Sequence, residues 1–339
     1  MTPGRARAAY RWSIVLAAVV LLSLAGCGGS GETGGSQASG QGSENRIAGD
    51  QFRLSGTQKT AQFTVGSEGF TEQQVLGAIT TRALEAADAT VIDRTGLGGN
   101  EEVRQALLDE EIDLSWEYTA TGWLVHLGET RSITDPRELY EAVARQDLEE
   151  NGIEWLEPAP GNDTYAIAAS EQTRRDLGVE TISDLGRLVE ERPEEATLCF
   201  NNEDDFRTRF DGLPGMERAY GFQFPEENLI EVSLDAVYGA AADGEICNFG
   251  VVFTTSGFIR EENLSLLDDD KSFFAVYNPS LTMRRETLEN YPQLKEMFAP
   301  IAEKLDTETL RRLNYAVEVE GQTPEAVAER WLRDNGFIE

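Results

Sequence analysis

From Phe63 onward, short β-branched runs alternate with stretches in which apolar residues recur every three or four positions. Phe63-Thr64-Val65 predicts a strand that breaks at Gly66. Thr71 followed by Gln74 reads as a capping box, and Val75, Leu76, Ile79 and Leu84 continue on one helical face. Thr90-Val91-Ile92 predicts the next strand, Gly96-Leu97-Gly98-Gly99-Asn100 a tight turn, Glu101 to Leu108 a helix, and Ile112-Asp113-Leu114 a third strand. This βαβαβ order predicts a mostly parallel sheet covered by helices. The glycine run lacks the GxGxxG spacing and is followed by acids, so it reads as a strand-to-helix turn and not as a nucleotide loop.

A second α/β block opens at Tyr165-Ala166-Ile167-Ala168. It continues with a helix from Thr181-Ile182-Ser183-Asp184-Leu185, a strand at 196–200 and another at 246–253. Residues 306–338 read as helices, the first carrying Leu310, Leu313 and Tyr315, the next opening at Pro324-Glu325-Ala326-Val327 with Val327, Trp331 and Leu332 on one face.

The beginning of the chain sets the compartment. Arg5, Arg7 and Arg11 precede an apolar run from Ile14 to Leu24, too short for a permanent span and right for a signal peptide. It ends in Leu24-Ala25-Gly26-Cys27, which resembles a bacterial lipobox. Residues 1–26 are therefore expected to be a lipoprotein leader, with Cys27 carrying a lipid anchor to the membrane. Residues 27–60, rich in Gly, Ser, Gln and Glu, read as a flexible tether, leaving roughly 280 residues for two lobes.

With 29 basic and 61 acidic residues, the chain carries a formal charge of −32. That excludes a nucleic-acid partner, whose phosphates it would repel. Four lysines occur, at 59, 271, 295 and 304, so arginine supplies most of the positive charge. An acidic, lysine-poor surface suits a salty medium or a high-GC genome, and the sequence does not separate the two. Apart from Cys27, the cysteines are Cys199 and Cys247. An even pair in an exported chain favours a disulfide, two buried thiols being the alternative. A single histidine, His126, argues against zinc or a Ser-His-Asp triad and reads as a helix-surface or part-buried residue. No metal, cofactor or catalytic residue is expected.

Aromatics stand where strands give way to loops: Tyr118, Tyr165, Phe253 and Tyr277. A quaternary ammonium has no N–H to donate, so aromatic faces are what can grip it. Ordered matches run the length of the chain: Gly66-Ser67-Glu68-Gly69-Phe70-Thr71-Glu72-Gln73, Gly96-Leu97-Gly98-Gly99 and the stretch from Glu111 through Trp116-Glu117-Tyr118-Thr119-Ala120-Thr121. They continue with Arg209-Phe210-Asp211-Gly212-Leu213-Pro214-Gly215, Thr254-Thr255, Leu267-Asp268-Asp269-Asp270-Lys271 and Leu313-Asn314-Tyr315. From Phe63 to Glu339 the chain resembles the glycine betaine, carnitine and choline substrate-binding proteins of ABC transporters, of the OpuAC/ProX type.

The resemblance implies an α/β, two-lobed periplasmic-binding-protein-like fold of type II, with the ligand in the cleft between lobes. Residues 61–162 and 277–339 would form lobe I, and 163–276 lobe II. Tyr118, Tyr165, Phe253 and Tyr277 would wall the ammonium, Arg209 would pair with a ligand carboxylate, and Thr121 would donate a hydroxyl. Asp163 would add negative potential, or else be an Asx-turn residue. Glu68 stands where the family often has lysine and would repel a ligand carboxylate if it faced the cleft; Ser256 replaces an aspartate. The intact motif around Arg209, against a turn at Glu68 that could point to solvent, tips the reading slightly toward a carboxylate-bearing betaine. The expected role is a monomeric, extracytoplasmic solute-binding lipoprotein serving an ABC permease and not an enzyme. A ligand sensor without transport is the alternative.

Overall fold

A computed structural model of the chain describes residues 47, 54 and 61–339, except 132 and 202–205. The expected leader 1–26 and lipidation site Cys27 lie outside the described residues, as does the tether 27–60 apart from Ile47 and Leu54. Ile47 is 1% exposed and donates its N–H to Phe337 O at 2.8 Å, and Leu54 is 4% exposed and donates its N–H to Ala87 O at 2.9 Å.

The strands, in chain order, are β1 (Gln62–Gly66), β2 (Thr90–Arg94), β3 (Leu114–Tyr118), β4 (Ile153–Trp155) and β5 (Tyr165–Ser170), followed by β6 (Leu198–Phe200), β7 (Leu229–Glu231), β8 (Phe249–Phe253), β9 (Leu264–Leu266) and β10 (Pro279–Arg284). They form two sheets of five, ordered β2-β1-β3-β10-β4 and β7-β6-β8-β5-β9. Neither is mostly parallel. In the first sheet β1 runs parallel to β2 and β3, but β10 is antiparallel to β3 and β4. In the second, β6 is parallel to β7 and β8, but β5 is antiparallel to β8 and β9. The reversed strands are the two that begin where the chain has just crossed between sheets, so they enter from the opposite end.

Helices cover both faces of each sheet. Beneath the first, the helix Thr71–Ala86 packs with the C-terminal helices Gln293–Glu303, Thr307–Glu318 and Pro324–Asp334 around Phe63, Trp116 and Phe298. Leu310 and Leu313 are buried there, whereas Tyr315 stands part-exposed beneath the guanidinium of Arg260. The second sheet has its own core around Ile167, Leu198, Phe200, Met216 and Phe249. Cys199 in β6 is joined to Cys247, with Cα atoms 5.7 Å apart and both side chains buried. Among the described residues no helix is long and apolar enough to cross a membrane.

Two expected details differ. Phe70, not Thr71, caps the first helix, and Gln74 reaches back to Gly69 O at 2.6 Å. The third strand lies two to four residues later than Ile112–Leu114, because Ser115 and Glu117 continue it as buried polar residues. Glu117 is tolerated there because it accepts from Tyr118 N and contacts His126 Nε2, both at 2.7 Å. His126 is thus tied to a buried carboxylate on a short π-helical turn.

Candidate functional site

Two chain crossings run side by side between the sheets. Asp163 N donates to Tyr277 O at 3.1 Å, Thr164 Oγ1 to Ala275 O at 2.8 Å, and Thr119 N to Asn278 O at 3.0 Å. Strand ends therefore converge on one place, and a cavity of about 630 Å³ opens there. All eight residues singled out from sequence line it: Glu68, Tyr118, Thr121, Asp163, Tyr165, Arg209, Phe253 and Tyr277.

Register explains the aromatic wall. Tyr165, first residue of β5, is the direct partner of Phe253, last residue of β8, and their ring centroids are 5.1 Å apart at 32°. Tyr118 ends β3 opposite Pro279 of β10, two residues after Tyr277. Phe70 stacks on Tyr118 at 6.2 Å and, at 42% exposure, stands at the mouth. On the far side Tyr238 and Phe258 pair at 5.4 Å. Phe70, Tyr238 and Phe258 line the cavity yet carry no sequence signal that separates them from core aromatics.

The turn at the end of β1 shapes one rim. Gly69 N donates to Gly98 O at 2.8 Å and Leu97 N to Ser67 O at 3.0 Å, so this turn and the one after β2 brace each other. Gly96 at φ 76° and Gly98 at φ 150° occupy backbone conformations that side chains resist. The N–H of Gly99, at the start of the next helix, is taken by Glu102 Oε2 at 3.1 Å, so a carboxylate sits where a nucleotide phosphate would need to be.

Arg209 is less available than its sequence motif implies. Its Nε and Nη2 grip Asp211 at 2.9 and 2.7 Å, and Nη2 also donates to Tyr277 Oη at 3.1 Å. The guanidinium lies 5.9 Å from the Tyr165 ring. Burial alone would raise the Asp211 carboxyl, but the Arg209 guanidinium more than offsets this and leaves it below the ordinary range. The Tyr277 hydroxyl, which donates to Asp211 at 3.0 Å, is pushed up by burial and by that same carboxylate.

The opposite wall is acidic. Glu72, on the first turn of its helix, is 2% exposed and accepts from Tyr118 Oη and Asn314 Nδ2, each at 2.8 Å. Burial raises its carboxyl against the pull of Thr255, Asn314 and Tyr118. Asp163 accepts from Thr255 Oγ1 at 2.7 Å, a contact across the fold and not a local Asx turn. Its carboxyl is held well above the usual range by burial first and by the Glu72 charge second. The Tyr118 hydroxyl is likewise held well up, by burial and the Glu72 and Asp163 charges. Glu318 completes this wall and Glu68 faces the cavity, against the reading of its turn as solvent-facing. Sequence reasoning passed over Glu72 and Asn314, although both lie inside quoted motifs, because their partner is each other across 242 residues.

Residues 61–334 match the OpuAC family, described as the substrate binding domain of an ABC-type glycine betaine transport system. A glycine-betaine-binding protein of Pseudomonas aeruginosa is 34% identical over 280 residues, 81% of this chain and 88% of that protein. The apo structure of YehZ from Escherichia coli superposes with a TM-score of 0.70 at 30% identity, covering 82% of this chain and 99% of that one. A crystal structure described as a glycine betaine/carnitine/choline ABC transporter gives 0.71 at 23% identity over 82% of this chain and 98% of that one, a likeness of fold alone. The fold is the two-lobed type II periplasmic-binding-protein one.

Proposed function

The chain belongs to the OpuAC family of substrate-binding domains of ABC-type glycine betaine transport systems, and from that premise we propose that its cleft holds a quaternary ammonium of the glycine betaine, carnitine or choline type. The observation that carries this reading is the convergence of Tyr118, Tyr165, Phe253 and Tyr277 on a cavity with carboxylates in its wall. Each ring face contributes roughly 0.5–2 kcal/mol to a desolvated cation. Residues 61–162 with 277–339 act as one lobe and 163–276 as the other, closing on the ligand. The protein captures its ligand outside the cytoplasm and acts by binding, without catalysis. Anchored through Cys27, it works as a monomer and passes the ligand to a permease.

The ligand's other end follows from charge. Glu68, Glu72, Asp163 and Glu318 line the cavity, while Arg209, its one basic side chain among the described residues, is held by Asp211. This moves the balance away from a carboxylate-bearing betaine, whose preference rested on the intact motif around Arg209 and on a turn at Glu68 that could point to solvent. Choline should therefore bind at least as tightly as glycine betaine. Calorimetric titration with choline, glycine betaine, carnitine and proline betaine tests the reading. Binding of none of the four would refute it, and a clear preference for glycine betaine would show that Arg209 leaves Asp211 for the ligand.

A further inference from the structure

Glu72 and Asp163 approach the cavity from different elements, one from the helix Thr71–Ala86 and the other from the crossing into β5. Their donors are neutral. Tyr118 and Asn314 serve Glu72, Thr255 Oγ1 donates to Asp163 at 2.7 Å, and the Asn314 Nδ2 that serves Glu72 also donates to Thr255 O at 3.0 Å, so the two carboxyls flank one pair of residues. If both acids are charged, two anions share one cavity wall whose donors are all neutral. A proton on either acid relieves that repulsion.

The surroundings do not supply positive charge instead. Glu318, from the helix Thr307–Glu318, adds repulsion at Asp163, and Glu68 adds it at Tyr118. Tyr238, from the helix Leu234–Asp243, is a neutral phenol whose hydroxyl feels Glu318 and Asp163. Asn314 Oδ1 is a buried acceptor with no partner, a further lone pair on the same side. Arg209 is committed to Asp211, and the Glu117–His126 pair sits behind Tyr118. Among the described residues lining the cavity the cluster has acceptors in excess, and Arg311, bonded to Thr254 O, lies outside that lining.

Resting on the quaternary-ammonium reading, we propose that Glu72 and Asp163 are the charge-selecting residues of the cleft: together they hold one proton when it is empty and release it to solvent when a ligand cation enters. The methylated head cannot hydrogen-bond, so it takes over the proton's electrostatic role without its bonds, and Thr255 goes on donating to Asp163 while the cation screens both carboxylates. No covalent bond to the ligand forms; one O–H bond of the pair breaks and the proton passes to buffer. The pair titrates as a unit. Because the cation favours the ionised form, affinity must rise with pH, by up to about tenfold per pH unit while the empty pair is still protonated, and level off above. A neutral isostere such as 3,3-dimethylbutan-1-ol gains nothing from higher pH.

The test is calorimetry of choline chloride binding in buffers of differing ionisation heat, from about pH 5 to about pH 8. Near one proton should be released per choline at the lower end. Glu72→Gln and Asp163→Asn should each abolish release and flatten the pH profile, and His126→Gln should keep both. Buffer-independent heat with pH-independent affinity in the wild type, which needs no variant to fold, would overturn the inference while leaving the quaternary-ammonium reading intact. So would loss of the pH dependence in His126→Gln with its retention in Glu72→Gln. Failure of choline and glycine betaine to bind at any pH would overturn both.

Discussion

At the residue scale, Tyr118 does two things that the sequence presents as one. Its ring faces the cavity beside Phe70, and its hydroxyl donates into the buried Glu72 carboxylate. Tyr118→Ala should remove roughly 1–2 kcal/mol of binding, about tenfold, through lost ring contact. Tyr118→Phe keeps the ring but takes a donor from the charged form of Glu72, which raises that carboxyl further. The rising limb of affinity against pH should therefore move to higher pH, with the plateau above it close to wild type. An equal loss at every pH, measured by titration, would instead put the hydroxyl on the ligand. The aromatics at strand–loop junctions were picked out through the family resemblance, since hydrophobic pattern alone ended the third strand four residues before Tyr118. The Arg209–Asp211 fork was not, since spacing of two in a loop gives proximity without orientation. Nor was Glu72: next to Glu68 and Thr71 it reads as one more acid in a helix's first turn.

Among the elements, the helix Thr307–Glu318 packs in the core of the first sheet and also touches the segment that follows β8. Arg311, Asn314, Tyr315 and Glu318 follow the spacing of one helical face. Arg311 donates to Thr254 O, Asn314 to Thr255 O, and Glu318 accepts from Gly257 N at 2.8 Å, while Arg260 lies over the Tyr315 ring. This face clasps the 254–261 segment that follows β8. Gly257 allows the approach, because a Cβ there would meet Tyr315 Cα at 2.4 Å and its backbone N at 2.5 Å. Backbone cannot step aside, so Gly257→Ala should push the clasp apart. Choline affinity should fall about tenfold or more while the melting temperature changes less, since Gly257 itself contributes no apolar side chain to a core. A large drop in melting temperature with unchanged affinity would assign the contact to stability alone. Periodicity showed that residues 306–338 are helical, and Leu310 and Leu313 point inward. Tyr315, five residues after Leu310, falls off that face and meets Arg260, far off in sequence, which no periodicity reveals.

For the whole molecule, charge is the dominant sequence feature and it acts against compactness. At −32, acidic groups repel one another across the surface, and near ten ångströms of screening length at about 0.1 M salt leaves much of that repulsion in force. The melting temperature should rise as sodium chloride goes from about 0.05 M to about 1 M; a flat or falling response in a thermal scan would mean that surface ion pairs such as Arg137–Glu141 outweigh the repulsion. The two βα blocks were legible as a pair of lobes. The reversed direction of β5 and β10 was not, because hydrophobic pattern carries no strand direction. That reversal, with the strand order around it, says something about time. In the first sheet β4 touches β10 alone, so it waits without a partner until residues 279–284 have been made. The second sheet draws every strand from the continuous stretch 165–266. On a chain emerging amino end first, the half encoded in the middle is the first that can complete itself, and the half encoded at the start is the last. Whatever shelters the growing chain must hold the strands of residues 62–155 longest.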